Sequence, residues 1–206
     1  TTSTGTWNNQ TKEDLKDFLL EKTFTLRDGE RRLTVRYDLT NKGNKGKRPG
    51  FWSQHALDFD GKRQNNTYWR PTRHCIDWID NTHQSEYGYW YVARTNAGWN
   101  GVTNRTMKRG VMFLMDYSDL LQVYDNTAAT TTEWMYEDVA VPAGKTWTTQ
   151  VTMILTEGFA TYTYGGEQLV AAFEAAETPA GLRISHTLAA AALPLNHILL
   201  ETDAPF

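Results

Sequence analysis

The sequence is short of the residues and segments that define several common protein classes. It has one cysteine, Cys75, which excludes an internal disulfide framework and a cysteine-rich zinc site. No apolar run approaches the roughly 20 residues that a membrane-spanning helix needs. Neither sign of charge dominates, since 21 basic and 24 acidic side chains leave a net charge of -3. We therefore expect a globular protein with no membrane partner and no nucleic-acid partner.

The motifs of common cofactor and metal sites are also missing. The sequence has no glycine-rich phosphate loop and no serine nucleophile elbow. Asp58 and Asp60 form an Asp-x-Asp pair, but the other ligands of a calcium loop do not follow. We therefore expect no cofactor and no bound metal. The compartment stays open, with a secreted or periplasmic location favoured, because bacterial secreted domains often lack disulfides as well.

Aromatic residues are what the sequence has in excess, since Trp, Tyr and Phe make up 13% of the chain. Apolar and polar residues alternate from Phe24 to Leu39 around a turn at 27–30, which predicts a β-hairpin with one buried face. A second hairpin is predicted across the turn 142–145, and a further strand pair across 117–119. Several strands joined by short turns, with almost no amphipathic helix, predict an all-β antiparallel β-sandwich.

Two segments are predicted to be helical. Residues 11–19 combine an N-cap threonine, an acidic first turn and following apolar residues. Near the C-terminus the composition shifts, and the Thr-Pro-Ala-Gly stretch at 178–181 is typical of a boundary. We expect a carbohydrate-handling β-sandwich over residues 1–177. A short helical appendage over 178–206, not an independent domain, is expected to follow.

Two phrases of the sequence resemble a known family. The hairpin TFTLRDGERRLTVRYDLTN (23–41) and the phrase EDVAVPAGKTWTTQVTMILTEG (137–158) resemble hairpins of galactose-mutarotase-like supersandwich domains. The resemblance covers the chain from about residue 22 to residue 173. It implies a supersandwich fold and a role in carbohydrate chemistry, as in sugar mutarotases and in domains of glycoside hydrolases and polysaccharide lyases.

The same resemblance implies candidate catalytic residues. Sugar mutarotases of this superfamily use a histidine as general acid and a glutamate as general base, and the candidates here are His55, His74 and Glu133. Glu133 is also a candidate from its neighbours, because a carboxyl group with a raised pKa beside an ordinary one suits acid–base chemistry on a sugar. Whether the chain is an enzyme stays open.

Carbohydrate binding is predicted from the tryptophans and their polar neighbours. A sugar ring offers an apolar C–H face and a rim of hydroxyl groups, so its site needs flat rings flanked by hydrogen-bonding side chains. We expect an oligosaccharide or polysaccharide ligand, with the site near 69–78, because loops between strands carry ligand groups. The alternative is that most of these rings belong to the core. The predicted binding residues are Trp52, Trp69, Arg73, Trp78, Trp99 and Trp134.

The last residues resemble a different family. The phrase AALPLNHILLETDAPF (191–206) is similar to the C-terminal phrase of TatD-type metal-dependent deoxyribonucleases, and the likeness begins near Gly181. It implies that Asp203 matches an aspartate that binds a divalent metal. The family's His-x-His pair is missing, and its (β/α)₈ barrel needs about 250 residues. The tail is either a short helix and strand docked on the sandwich or unrelated sequence joined to it.

Three functions therefore stay open. The first is a carbohydrate-binding β-sandwich, either free or as a fragment of a larger carbohydrate-active enzyme. The second is a catalytic sugar-processing protein, namely a glycoside hydrolase, polysaccharide lyase or epimerase that uses Glu133 with His55 or His74. The third, from another class, is a TatD-like metal-dependent nuclease that uses Asp203.

Overall fold

The computed structural model describes residues 2–6, 15–61, 65–72, 74–83, 90–91, 98–116 and 118–190, and these are mostly β-strand. The strands in these ranges are β1 (Thr2–Thr6), β2 (Phe18–Leu26), β3 (Arg32–Asn41), β4 (Trp52–Ala56), β5 (Asn66–Pro71), β6 (Ile76–Ile79), β7 (Trp90–Tyr91), β8 (Trp99–Asn104), β9 (Arg109–Met115), β10 (Leu120–Asn126), β11 (Thr131–Tyr136), β12 (Thr146–Glu157), β13 (Tyr164–Gly165), β14 (Leu169–Thr178) and β15 (Gly181–Ala190). The paired strands run antiparallel. This confirms the predicted all-β antiparallel fold class.

The strands of the described residues form three sheets. The eight-stranded sheet has the order β1-β2-β3-β12-β9-β8-β5-β6, the four-stranded sheet the order β4-β11-β10-β7, and the three-stranded sheet the order β13-β14-β15. The eight-stranded sheet is the central layer, because one of its faces packs on the four-stranded sheet and the other on the three-stranded sheet.

The first hydrophobic core lies between the eight-stranded and four-stranded sheets. Tyr68 and Phe113 point into it from the eight-stranded sheet, and Val123 and Trp134 point into it from the four-stranded sheet. The rings of Phe113 and Trp134 meet edge to face with their centroids 5.1 Å apart. Since side chains alternate along a strand, the residues between these face away from this core.

The second core lies on the opposite face of the eight-stranded sheet, where Trp69, Trp99 and Met112 pack against Tyr162 and Val170. Val170 belongs to the three-stranded sheet, and Tyr162 belongs to the loop between β12 and β13. Because Trp69 follows Tyr68 directly in β5, one strand supplies side chains to both cores.

Tyr162 fits the central sheet at two glycines. A Cβ at Gly101 would overlap the tyrosine ring, and a Cβ at Gly110 would overlap both the tyrosine hydroxyl and the carbonyl oxygen of Val102. The hydroxyl group also shares a hydrogen bond with that of Thr156 at 2.5 Å. These contacts hold the loop between β12 and β13 against strands β8 and β9.

The strand pairing confirms the first predicted hairpin but not the other two pairs. Strands β2 and β3 pair along their length. Strand β12 pairs with β3 and β9, while Val141, in the segment predicted to pair with β12, makes only an isolated bridge to Lys47. Strands β9 and β10, predicted to pair, belong to different sheets. Turn residues predict a change of direction, but they do not determine which strand the chain meets next.

No α-helix is seen at either predicted position within the described residues. Phe18 begins strand β2, and residues 7–14 lie outside the described ranges. Residues 178–181 form the turn of the hairpin of β14 and β15, so Gly181–Ala190 is a strand where a helix was predicted. Residues 191–206 lie outside the described ranges. The division of the chain into two segments stays a prediction.

Candidate functional site

The two faces of the four-stranded sheet carry different side chains. In the strand register, Glu133 lies opposite Gln54 on β4 and opposite Tyr124 on β10. Residues paired in this way share a face of the sheet. Trp134 follows Glu133 in β11 and points into the first core. Glu133, Gln54, Tyr124 and Trp52 therefore point away from that core, and we call their surface the outer face.

Glu133 is held in the outer face by neutral hydrogen-bond donors. Its Oε1 accepts hydrogen bonds from Gln54 Nε2 at 2.9 Å and from Thr131 Oγ1 at 2.6 Å. Only 3% of the residue is exposed. None of the ion pairs found among the described residues includes this carboxylate. A nearly buried carboxylate is costly for folding unless hydrogen bonds or a counter-charge offset the cost, and such groups are often found at functional sites.

Trp52 supplies the aromatic surface of the outer face. It lies two residues before Gln54 on β4, opposite Met135, and is 51% exposed. Gln122 Nε2 donates a hydrogen bond to Met135 Sδ at 3.1 Å, which fixes the thioether on the same face. The outer face therefore offers an open indole ring beside an amide and a carboxylate.

His55 does not share a face with Glu133. Its cross-strand partner is Thr132, and its ring packs against that of Trp134 with the centroids 4.4 Å apart, on the side of the first core. Burial and, secondarily, the charge of Lys22 lower the pKa of His55 to about 4. The imidazole is therefore neutral at pH 7 and unsuited to act as a general acid. The register thus separates the predicted catalytic pair.

His74 and Arg73 do not complete the site either. His74 is exposed on the turn between β5 and β6, and its backbone N–H lies 3.3 Å from Thr72 Oγ1. These strands belong to the eight-stranded sheet, whereas Glu133 belongs to the four-stranded sheet. Arg73, a predicted sugar ligand, lies outside the described residues.

Four of the predicted sugar-binding tryptophans have rings that other side chains cover wholly or in part. Three of them, Trp69, Trp99 and Trp134, are buried in the two cores. The ring of Trp78 is partly buried, stacks on His83 with centroids 3.9 Å apart, and has the Arg105 guanidinium 4.6 Å from its centroid. Rings with such neighbours are not open platforms. Of the predicted binding residues that the structure describes, Trp52 is the one with a largely exposed ring, and it lies outside the predicted region near Trp69 to Trp78.

A buried ionic cluster that was not predicted from the sequence joins two sheets. Arg70 on β5 is fully buried and pairs with Asp77 at 3.1 Å and with Asp125 of the four-stranded sheet at 3.3 Å. Burial raises the pKa of Asp125 to about 6, although Arg70 opposes the rise. The position of Arg70 could have indicated its burial, because residues two apart in a strand share a face and Tyr68, two residues earlier, points into the first core.

Within the described ranges, no three His, Cys, Asp or Glu side chains are grouped so that they could hold a metal ion. In the same described residues, no helix is long and apolar enough to cross a membrane. Asp203, the residue matched to a TatD metal ligand, lies outside those ranges.

Several solved structures resemble this fold. A galactose mutarotase related enzyme from Lactobacillus acidophilus is 11% identical with a TM-score of 0.49, over 79% of this chain and 70% of its own. A galactose mutarotase-like protein from Lactobacillus casei is 15% identical with a TM-score of 0.44, over 75% of this chain and 69% of its own. A TPR-domain containing protein from Parabacteroides distasonis is 15% identical with a TM-score of 0.47 over 68% of this chain, which spans 30% of that protein.

These similarities concern backbone architecture and not function, because one architecture hosts many unrelated activities. No protein-family model matches the chain, and no curated protein matches it. The resemblance of the C-terminal segment to TatD-type deoxyribonucleases finds no support in any of the three comparisons.

Proposed function

We propose that the outer face of the four-stranded sheet binds carbohydrate. The observation that carries the proposal is the half-exposed ring of Trp52 beside the hydrogen-bonded pair of Gln54 and Glu133. A flat ring suits the C–H face of a pyranose, and amide and carboxylate groups suit its hydroxyl rim. The resemblance of residues 23–41 and 137–158 to galactose-mutarotase-like domains supports the same class of ligand.

Glu133 is the proposed acceptor for a sugar hydroxyl. Both of its hydrogen bonds within the described residues reach Oε1, from Gln54 and Thr131. The carboxylate is therefore fixed by one oxygen, and Oε2 is the oxygen assigned to the ligand. Tyr124, opposite Glu133 on β10, lies next to this position on the same face. A charged acceptor makes a stronger hydrogen bond to a hydroxyl group than a neutral one does.

Calorimetric titration with a panel of oligosaccharides, including maltotriose, cellotriose and galactobiose, tests this proposal. We expect saturable binding of at least one of them, weakened about tenfold or more by Trp52→Ala, because the stacking surface is removed. Tyr164→Ala is the matched control, since Tyr164 is also 51% exposed but belongs to the three-stranded sheet. Absence of binding to the whole panel, or equal affinities of the two variants, would refute the proposal.

A catalytic site at the same face is the second candidate. It is favoured by the nearly buried Glu133 carboxylate, because acid–base groups are commonly held away from solvent without a full counter-charge. His55 and His74 are not assigned as its partners, since neither lies on the outer face. Polarimetry of freshly dissolved α-D-galactose, with hydrolase and lyase assays on the bound glycan, tests the activity. We expect Glu133→Gln to abolish turnover and to keep binding at reduced affinity, because the amide oxygen still accepts a hydrogen bond. Binding without any turnover in the unaltered protein would leave only the first candidate.

A further inference from the structure

A groove lies on the back of the eight-stranded sheet, away from the outer face. It is a groove of about 450 Å³, and this volume falls within the range of about 300–1,000 Å³ found for ligand pockets. Its floor is formed by the neighbouring strands β3, β12 and β9, and Glu167 from the turn before β14 lines one side. We call it the back groove.

The back groove exists because the second core covers only part of this face of the eight-stranded sheet. Where the second core lies, Trp99 and Met112 of β8 and β9 are covered by apolar side chains. Further across the sheet, the same face carries polar side chains instead, among them Thr34 on β3 with Gln150 and Thr152 on β12. The groove follows the border between the covered and uncovered parts.

The floor of the back groove combines hydroxyl, amide and apolar groups. Thr34 and Thr152 are cross-strand partners whose hydroxyl oxygens lie 3.1 Å apart. Gln150, two residues before Thr152, has its side chain on the same face. Its backbone carbonyl oxygen accepts a hydrogen bond from the backbone N–H of Asp116 at 3.3 Å. Leu114, opposite Thr152 on β9, adds an apolar contact.

The charges around the back groove disfavour an anion. Arg32 Nε lies 3.4 Å from Glu30 Oε2, so its positive charge already has a partner. Asp116 Oδ1 accepts hydrogen bonds from the Ser118 hydroxyl at 2.8 Å and from the Ser118 N–H at 3.2 Å. Asp116 and Glu167 add two negative charges to a lining with one partnered cation. A phosphate or carboxylate ligand would be repelled, whereas hydroxyl groups can donate to these carboxylates.

We propose that the back groove is a second ligand site, for a neutral, hydroxyl-rich molecule such as one unit of a saccharide. Thr34, Thr152 and Gln150 can each donate and accept hydrogen bonds, as sugar hydroxyl groups do. Leu114 gives the apolar surface that a ring C–H face needs. The site goes beyond the outer face, because it lies on another sheet and uses neither Trp52 nor Glu133.

Ligand-detected saturation-transfer NMR with D-glucose, D-galactose and maltotriose tests the back groove. We expect Thr152→Val to weaken binding of at least one probe about 3- to 10-fold, because it removes one hydrogen-bonding group and keeps the side-chain shape. Thr146→Val is the matched control, since Thr146 pairs with Thr40 at 2.8 Å on the same two strands outside the groove. Gln150→Ala, at an exposed position, is a second groove variant in case Thr152→Val impairs folding.

Measurements in the Trp52→Ala protein separate this site from the outer face. Binding that survives Trp52→Ala and weakens with Thr152→Val or Gln150→Ala supports the back groove, whatever the fate of the proposed function. Binding that disappears with Trp52→Ala supports the outer face alone and overturns the back groove. The proposal is also overturned if the probes fail to bind, or if the groove variants and Thr146→Val bind them equally well.

Discussion

Each face of the four-stranded sheet holds one buried carboxylate, and the two carboxylates have different partners. We call the face toward the first core the inner face. On the inner face, Asp125 is fully buried and pairs with Arg70 of the neighbouring sheet. On the outer face, Glu133 is 3% exposed and has only neutral partners among the described residues. A carboxylate kept for architecture is normally paired with a cation. The comparison shows that the inner charge joins two sheets, whereas the outer charge has no cationic partner among the described residues and is the one proposed to meet a ligand.

The largest expected effect is that of removing the cation from the inner face. Arg70→Met removes the guanidinium that contacts Asp77 and Asp125 while both carboxyl groups stay buried, so we expect the free energy of unfolding to fall by about 3–5 kcal/mol in urea denaturation. Arg36→Met is the control, because the pair of Arg36 with Asp38 is exposed and should contribute little. If both variants lost the same free energy of unfolding, the buried ionic cluster would not be important for holding the two sheets together.

A smaller effect is expected at the outer face, where two substitutions separate charge from hydrogen bonding. Glu133→Ala leaves the donors of Gln54 and Thr131 without an acceptor and should cost about 1–3 kcal/mol in the same measurement. Glu133→Gln keeps an acceptor oxygen and removes the charge, so it should cost less than about 1 kcal/mol or stabilise the protein. A loss with Glu133→Gln as large as that with Glu133→Ala would mean that folding needs this charge.

The smallest expected effect concerns how the free energy of unfolding depends on pH, through two titratable groups of the inner face, His55 and Asp125. The pKa of His55 is lowered from 6.5 to about 4, so its contribution to stability is complete above pH 6.5 and is lost as the pH falls through about 4. The pKa of Asp125 is raised from 3.8 to about 6, so its contribution is complete below pH 3.8 and is lost as the pH rises through about 6. The two slopes therefore oppose each other between about pH 4 and 6.

His55→Gln should unmask the contribution of Asp125. We expect the free energy of unfolding of this variant to fall more steeply from pH 4 to pH 6 than that of the unaltered protein, as measured by urea denaturation at a series of pH values. His186→Gln, at an exposed position of β15, is the control. If the free energy of unfolding depended on pH in the same way in both variants, the neutral state of His55 would not contribute to the stability of the protein.

The fold class followed from local patterns, but the sheet order did not. Alternation and a turn were enough for β2 and β3, because these strands are consecutive and pair along their length. The residues that pair with β12 lie far away along the chain, as with Thr40 and Thr146, which are 106 residues apart. A turn between them says nothing about such a pair, so the hairpin predicted across 142–145 was not found.

The candidate site was predicted only in part. Trp52 and Glu133 were named from the sequence, and the structure places both on the outer face. Trp69 and Trp134 have polar neighbours in the sequence as well, but they are buried, because exposure depends on which sheet covers a strand face. His55 was paired with Glu133 although the cross-strand register places them on opposite faces, and the sequence alone does not specify that register.

The fit of Tyr162 to two glycines has a consequence for how this chain can evolve. The overlap at Gly101 involves only the tyrosine ring, whereas the overlap at Gly110 also involves the backbone oxygen of Val102. A side chain at Gly101 therefore becomes acceptable once residue 162 has become smaller, but a side chain at Gly110 does not. Substitutions at 101 and 162 are accessible in one order and not in the other, so descendants should change residue 162 first and keep glycine at 110.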